Sequence, residues 1–240
     1  MKSMEEAVNT KPVKEPKKKN EKVKNIIYIC VLVVSVIILV IEGFLYYQRS
    51  YLTPFWVNGQ SMYPTLNGHA LRADGSEVGI AGGGSHLGDT VDYGVMDTHK
   101  KAINKIKRFD VIVTLYREDD TSNKIKRVVG MPGERIRFGT GVNNGDLFIN
   151  DELIEQPVET EIVRSGNSYP VEEIVLGDNE YYVLGDNRAH SSDSRHEGPI
   201  QKEWITGKAI AICGTAKVYR NDKGYLDIKD IDYKWPVYLK

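Results

Sequence analysis

The sequence predicts a mainly β protein: one N-terminal transmembrane helix, then an outer antiparallel β-sheet domain with a smaller β-rich sub-domain. Three observations carry this reading. One long apolar run lies near the N-terminus. The rest of the 240 residues breaks into short strand-like runs separated by turn formers. Long amphipathic helical periods are missing from that remainder.

Residues 1–24 form the first segment, with eight lysines against four glutamates. So polar a stretch cannot bury enough apolar surface to fold alone. Residues 25–47 read as a transmembrane helix. Ile26 to Ile41 is apolar except for Tyr28 and Ser35, and Phe44, Leu45, Tyr46 and Tyr47 extend it. At about 1.5 Å per residue, some 22 residues reach roughly 33 Å, enough to cross a bilayer core. Glu42 is the one charge, placed to snorkel toward an interface that Tyr46, Tyr47, Tyr51 and Trp56 suit as an aromatic belt. The polar lead is long and no A-x-A-like site follows, so an uncleaved anchor is expected rather than a signal peptide. By the positive-inside rule the lysine-rich tail is cytoplasmic and residues 48–240 are extracytoplasmic.

Within residues 48–240, strands are expected at Val111 to Leu115, Lys124 to Val129, Arg135 to Phe138, Leu147 to Ile149, Tyr181 to Leu184 and Lys208 to Tyr219. Pro132-Gly133 suits a type II turn; Asn143-Asn144-Gly145 and Asn150-Asp151 suit hairpins. Residues 67–108 read as a long loop or insertion because 68–94 is glycine-rich, with a short helix near Asp97 to Lys107. Residues of about 135–180 read as the smaller sub-domain. The tail after Val218 carries no clear signal.

Three islands combine polar residues with turn formers: Asn58 to Leu66 (NGQSMYPTL), Lys124 to Glu134 (KIKRVVGMPGE) and Gly185 to Arg195 (GDNRAHSSDSR). A serine hydroxyl needs a base before it attacks, and a lysine can serve only if burial lowers its pKa. Lys126 sits in a β-like run between Ile125 and Val128-Val129. Strand alternation sends Lys126 and Arg127 to opposite faces, so one can enter a site while the other turns away. Taken alone, a strand lysine is more often a solvated edge residue and a turn serine more often a turn former.

The three islands resemble, in order, the conserved boxes of bacterial type I signal peptidases, serine proteases with a Ser–Lys dyad. The resemblance covers the anchor and most of the chain from Trp56 to about Thr215. It implies a Gram-positive-like single-anchor enzyme of signal-peptidase-like fold that removes signal peptides from exported preproteins. Ser61 matches the nucleophile and Lys126 the general base. Ser191 matches a serine that orients the lysine, and Asp193 and Arg195 a pair that shapes the active-site loop. Met62 matches a residue on the floor of the substrate site. Gly59 stands where some relatives carry a hydroxyl that helps hold the oxyanion. The Ser61 N–H remains, and a second donor, another backbone N–H or water, is then needed. Glu134 stands where the family usually has aspartate. Implied partners are signal peptides with small residues at the first and third positions before the bond, membrane lipid and the Sec translocon. No cofactor and no metal are expected.

The net charge of −1 gives no global pull toward nucleic acid. Cys30 and Cys213 form no disulfide framework or metal spacing. His190 lies beside Ser191 and near Asp186 and Asp193, which suggests a Ser–His–Asp site on paper. Neighbours in one loop seldom converge on one point, however, and a triad is recognised by geometry. With His69, His86, His99 and His196 it reads as solvated or structural.

Overall fold

The computed structural model describes residues 19–68, 71–72, 74–76, 85–117, 119–166 and 169–239, the side chains of residues 19–22 and 48 excepted. The 1–18 tail, His69 and residues 77–84 of the glycine-rich stretch lie outside them. Two compact units divide at Arg49 and Ser50. The first holds one helix, α1 (Lys19–Arg49). Its span Val23–Tyr47 is long and apolar enough to cross a membrane, and none of its most apolar window is buried. A helix apolar all round and uncovered by protein needs a nonpolar medium.

The second unit runs β1 (Leu52–Trp56), β2 (Thr90–Asp97), α2 (Lys100–Ile103), β3 (Val111–Thr114), β4 (Lys124–Gly130), β5 (Arg135–Phe138), β6 (Leu147–Ile149), β7 (Glu152–Ile154), α3 (Thr160–Ser165), β8 (Ile174–Val175), β9 (Glu180–Leu184), α4 (Ser194–Glu197), β10 (Ile200–Gln201), β11 (Ile205–Arg220) and β12 (Leu226–Tyr238). An eight-stranded sheet has the order β1-β2-β11-β3-β4-β9-β10, with β12 also on β11. A four-stranded sheet has the order β7-β6-β5-β8. All registered pairs are antiparallel.

The hairpin expected at Asn150-Asp151 joins β6 to β7, and both residues have positive φ, 51° and 72°. Asn and Asp tolerate that region, and it is the geometry a two-residue hairpin asks for. Gly133 takes φ 78°, as a type II turn requires.

Two expectations are corrected. The stretch 67–108, read as loop, contains β2, which pairs with both β1 and β11. Gly94 disguised it. A Cβ there would meet the Ala211 carbonyl oxygen at 2.5 Å and the Phe55 ring at 2.8 Å, so the glycine marks a close approach inside a sheet. The helix expected near Asp97 to Lys107 spans only Lys100–Ile103, capped by the His99 side chain. The tail after Val218 forms β12, whose C-terminal half is almost wholly exposed. Without a buried face it has no period-two signature to read.

Three apolar clusters hold the unit together. One joins Ile112 and Val128 to Tyr181, Val183, Ile200 and Ile205. A second binds the small sheet, through Ile136, Phe138, Leu147 and Ile149, to Val129, Tyr182 and Leu184. The third packs Val57, Met62 and Leu66 on Val111 and Ala209. This last cluster seats the 57–66 loop on the large sheet beside β3, the neighbour of β4.

Candidate active site

β4 places the base. Its register pairs Lys126 with Ile112 on β3. Cross-strand partners share a face, and so do residues two apart. Fully buried Ile112 and Val128 therefore flank the lysine stem. The amine sits 2.9 Å from Ser61 Oγ and 2.9 Å from the Ile125 carbonyl oxygen. Lys126 is only 3% exposed. Burial lowers its pKa to about 8; Asp193 opposes this, the Lys124 charge assists and Asp186 opposes. A low-dielectric site disfavours the ammonium, and the two carboxylates offset only part of that effect.

The loop that carries Ser61 is pinned from two sides. Asn67 donates its amide N–H groups to the Val57 carbonyl at 3.0 Å and to the Gly59 carbonyl at 2.9 Å. The Asn67 backbone N–H reaches Asp92 on β2, whose own N–H returns to Asn67 Oδ1. On the other side, the Asn187 N–H donates to the Ser61 carbonyl at 3.0 Å and its Nδ2 to the Gln60 carbonyl at 3.1 Å. A hydroxyl on so clamped a turn is positioned before substrate arrives.

Arg127 does turn away from Lys126, and it stays inside the protein. Its guanidinium makes a two-pronged pair with Asp186, 2.8 and 2.7 Å, with side chains 3% and 0% exposed. It also bonds the Phe109 carbonyl and Thr65 Oγ1. Because Leu184 pairs with Arg127, strand β9 delivers Asp186 to that spot. One buried cation thus ties β4, β9 and the 61–66 turn together.

Asp193 and Arg195 form a second buried pair at 2.8 Å, both side chains 0% exposed. Asp193 accepts the Gly185 N–H at 3.0 Å. Burial alone would raise the Asp193 pKa, but Arg195 and the Gly185 and Ser191 hydrogen bonds hold it below the ordinary value.

Two clefts meet at Ser61 and Lys126. One, of about 430 Å³, is walled by Phe55, Trp56, Met96, Val113 and Ile125, and reaches Ser61 and Lys126. The other, of about 680 Å³, is polar, with Tyr116, Asp119, Asp120, Thr121 and Glu197, and reaches the same two residues.

The family profile described as signal peptidase, peptidase S26, matches residues 21–213. The chain belongs to this family. Among its relatives, signal peptidase I U of Bacillus subtilis (strain 168) is 27% identical over 184 residues, covering 75% of this chain and 81% of the relative. Signal peptidase I of Streptococcus pneumoniae (strain TIGR4) is 28% identical over 195 residues, covering 65% and 80%. A crystal structure of a signal peptidase I from Enterococcus faecalis V583 shares 24% identity over 43% of this chain and 96% of that one. Its TM-score is 0.35.

For a signal peptidase, the expected site residues land unevenly. Ser61 and Lys126 meet. Asp193 and Arg195 support the 185–195 loop. Ser191 is not a hydrogen-bond partner of the amine: its hydroxyl faces the Ser192 carbonyl at 3.5 Å and helps hold Asp193. Met62 is 0% exposed and packs beneath the turn with Val57 and Leu66. Gly59 is buried at φ 104° and acts through backbone shape. Glu134 keeps the carboxylate role by pairing with Arg108. His190 is exposed and bonds no serine hydroxyl. Among the described residues no metal-binding group assembles. Sequence reasoning missed the Arg127–Asp186 pair and the Asn67 and Asn187 clamps. All lie within or next to the quoted islands, but only the fold reveals their partners.

Proposed function

We propose that this signal peptidase cuts preproteins with Ser61 as nucleophile and Lys126 as general base, on the extracytoplasmic side of the membrane. The observation that carries the reading is the 2.9 Å approach of Ser61 Oγ to a buried amine whose pKa is pulled to about 8. Neutral Lys126 Nζ accepts the Ser61 proton as Oγ bonds to the scissile carbonyl carbon. The resulting ammonium gives that proton to the leaving nitrogen as the C–N bond breaks. Water then attacks the ester, Nζ takes its proton, and the C–O bond breaks to restore the Ser61 hydroxyl.

The clefts divide the substrate. The apolar one, narrowed by Trp56 and Met96, suits small residues on the signal-peptide side. On the β9 side, β4 is paired only from Arg127 onward, so Lys124 to Lys126 offer backbone groups to an extended peptide. The apolar helix α1 serves as anchor, with lipid around it and the lysine-rich tail in the cytoplasm. In this reading the enzyme works beside the Sec translocon, where preproteins emerge.

Ser61→Ala and Lys126→Ala in the full chain, purified in detergent, are each expected to abolish preprotein cleavage with the circular dichroism spectrum unchanged. Full cleavage by Lys126→Ala rejects the dyad.

A further inference from the structure

Acyl transfer at Ser61 puts a negative charge on the former carbonyl oxygen, and that charge needs donors already aimed at it. The Ser61 N–H is one: it is committed to no acceptor among the described residues. Gly59 brings no side-chain donor, and its carbonyl is taken by Asn67. A second donor lies one residue further back. Asn58 lines the apolar cleft together with Ser61 and Lys126. Its Oδ1 accepts the Ser85 N–H at 2.9 Å. A backbone N–H must find an oxygen, so this bond fixes which way the amide faces. It leaves Nδ2 as the end with no acceptor among the described residues. The Asn67 amide holds the carbonyls of Val57 and Gly59, bracketing Asn58 and keeping its backbone still.

From this we infer that Asn58 Nδ2 is the second oxyanion donor, working with the Ser61 N–H. The inference rests on the proposed dyad and deepens it. The amide gives its N–H to the oxygen that becomes negative as Oγ bonds to the carbonyl carbon. It transfers no proton; the oxyanion's electron pair re-forms the neutral C=O bond as the C–N bond breaks and the amine leaves with the proton from Lys126.

The decisive variant is Asn58→Asp in the full chain. Aspartate keeps an oxygen for the Ser85 N–H but replaces the donor with an acceptor. The expected result is an unchanged unfolding temperature, an unchanged KM for a preprotein and a kcat lower by about 10²–10³. Affinity for a peptide aldehyde, whose adduct with Ser61 carries the oxyanion, is expected to fall in parallel. Affinity for an uncleavable peptide is expected to hold. A kcat within about threefold of wild type overturns the inference, as does equal weakening of aldehyde and uncleavable peptide. If Asn58→Asp fails to fold, Asn58→Ala takes its place, and wild-type kcat there overturns the inference equally. Ser61→Ala is assayed alongside. Cleavage by Ser61→Ala defeats the dyad itself; a dead Ser61→Ala beside a fully active Asn58→Asp defeats only the donor.

Discussion

Adding a single methyl group at Gly185 is expected to disable the enzyme. A Cβ at this position would lie 2.5 Å from the Ser61 carbonyl oxygen, 2.1 Å from Ser191 Oγ and 2.5 Å from Ser191 Cβ. Ordinary contact begins near 3.4 Å, so the carbonyl of the nucleophile is about 1 Å too close. That carbonyl belongs to a turn held by Asn187 and cannot swing aside as a flexible side chain does. Overpacking of this kind costs about 1–3 kcal/mol of stability. A displacement of about 1 Å at a reacting group costs on the order of 10² in rate. The assay is preprotein cleavage by Gly185→Ala in detergent, with thermal unfolding alongside. A folded variant with kcat/KM about a hundredfold below wild type is expected. Gly177→Ala is the control: its nearest neighbour is the flexible Glu180 side chain at 3.3 Å, so little change is expected. Wild-type kcat/KM in Gly185→Ala refutes the idea that the 185–195 loop fixes Ser61 by contact.

Two further outcomes follow from charge. Asp186→Ala strands the buried Arg127 guanidinium and is expected to destabilise the catalytic unit by about 3–5 kcal/mol in urea unfolding; a loss below about 1 kcal/mol contradicts the buried pair. In the fraction that folds, losing a carboxylate that favours the ammonium shifts the acid limb of cleavage to lower pH. Lys124→Gln acts in the opposite direction. Lys124 lies two residues from Lys126 on the same face, and its charge lowers the Lys126 pKa. Removing it is expected to move the acid limb upward, and an unmoved or lowered limb counts against that coupling.

The legible parts of the fold were those with local chemistry. β5 and β6 were read at their observed bounds because alternation and turn residues agreed there. β2 was not, because Gly94 answers to Phe55 and Ala211, residues distant in sequence. β1 carries Pro54, tolerable because β1 is an edge strand paired only with β2. Ser61 and Lys126 are singled out in the sequence by motif resemblance together with the strand setting of Lys126. Of the residues around them, Asp193 and Arg195 come with the same motif, whereas the Arg127–Asp186 pair and the Asn67 and Asn187 clamps do not, for the same reason as β2. Arg127 finds Asp186 across 59 residues, and Asn187 finds Gln60 across 127. Met62, which the motif resemblance put on the floor of the substrate site, packs in the core cluster with Val57 and Leu66.

The most direct test of a neutral lysine base is the pH dependence of kcat/KM for preprotein cleavage. The drop from 10.5 to about 8 corresponds to about 3 kcal/mol in favour of the uncharged amine. Because the folded pKa is lowered, the base is present above about pH 8 and is lost as pH falls through that value. The expected profile has an acid limb near pH 8 in the wild-type enzyme. A limb near that of free lysine, or activity undiminished well below pH 7, contradicts a buried Lys126 as the group that takes the Ser61 proton.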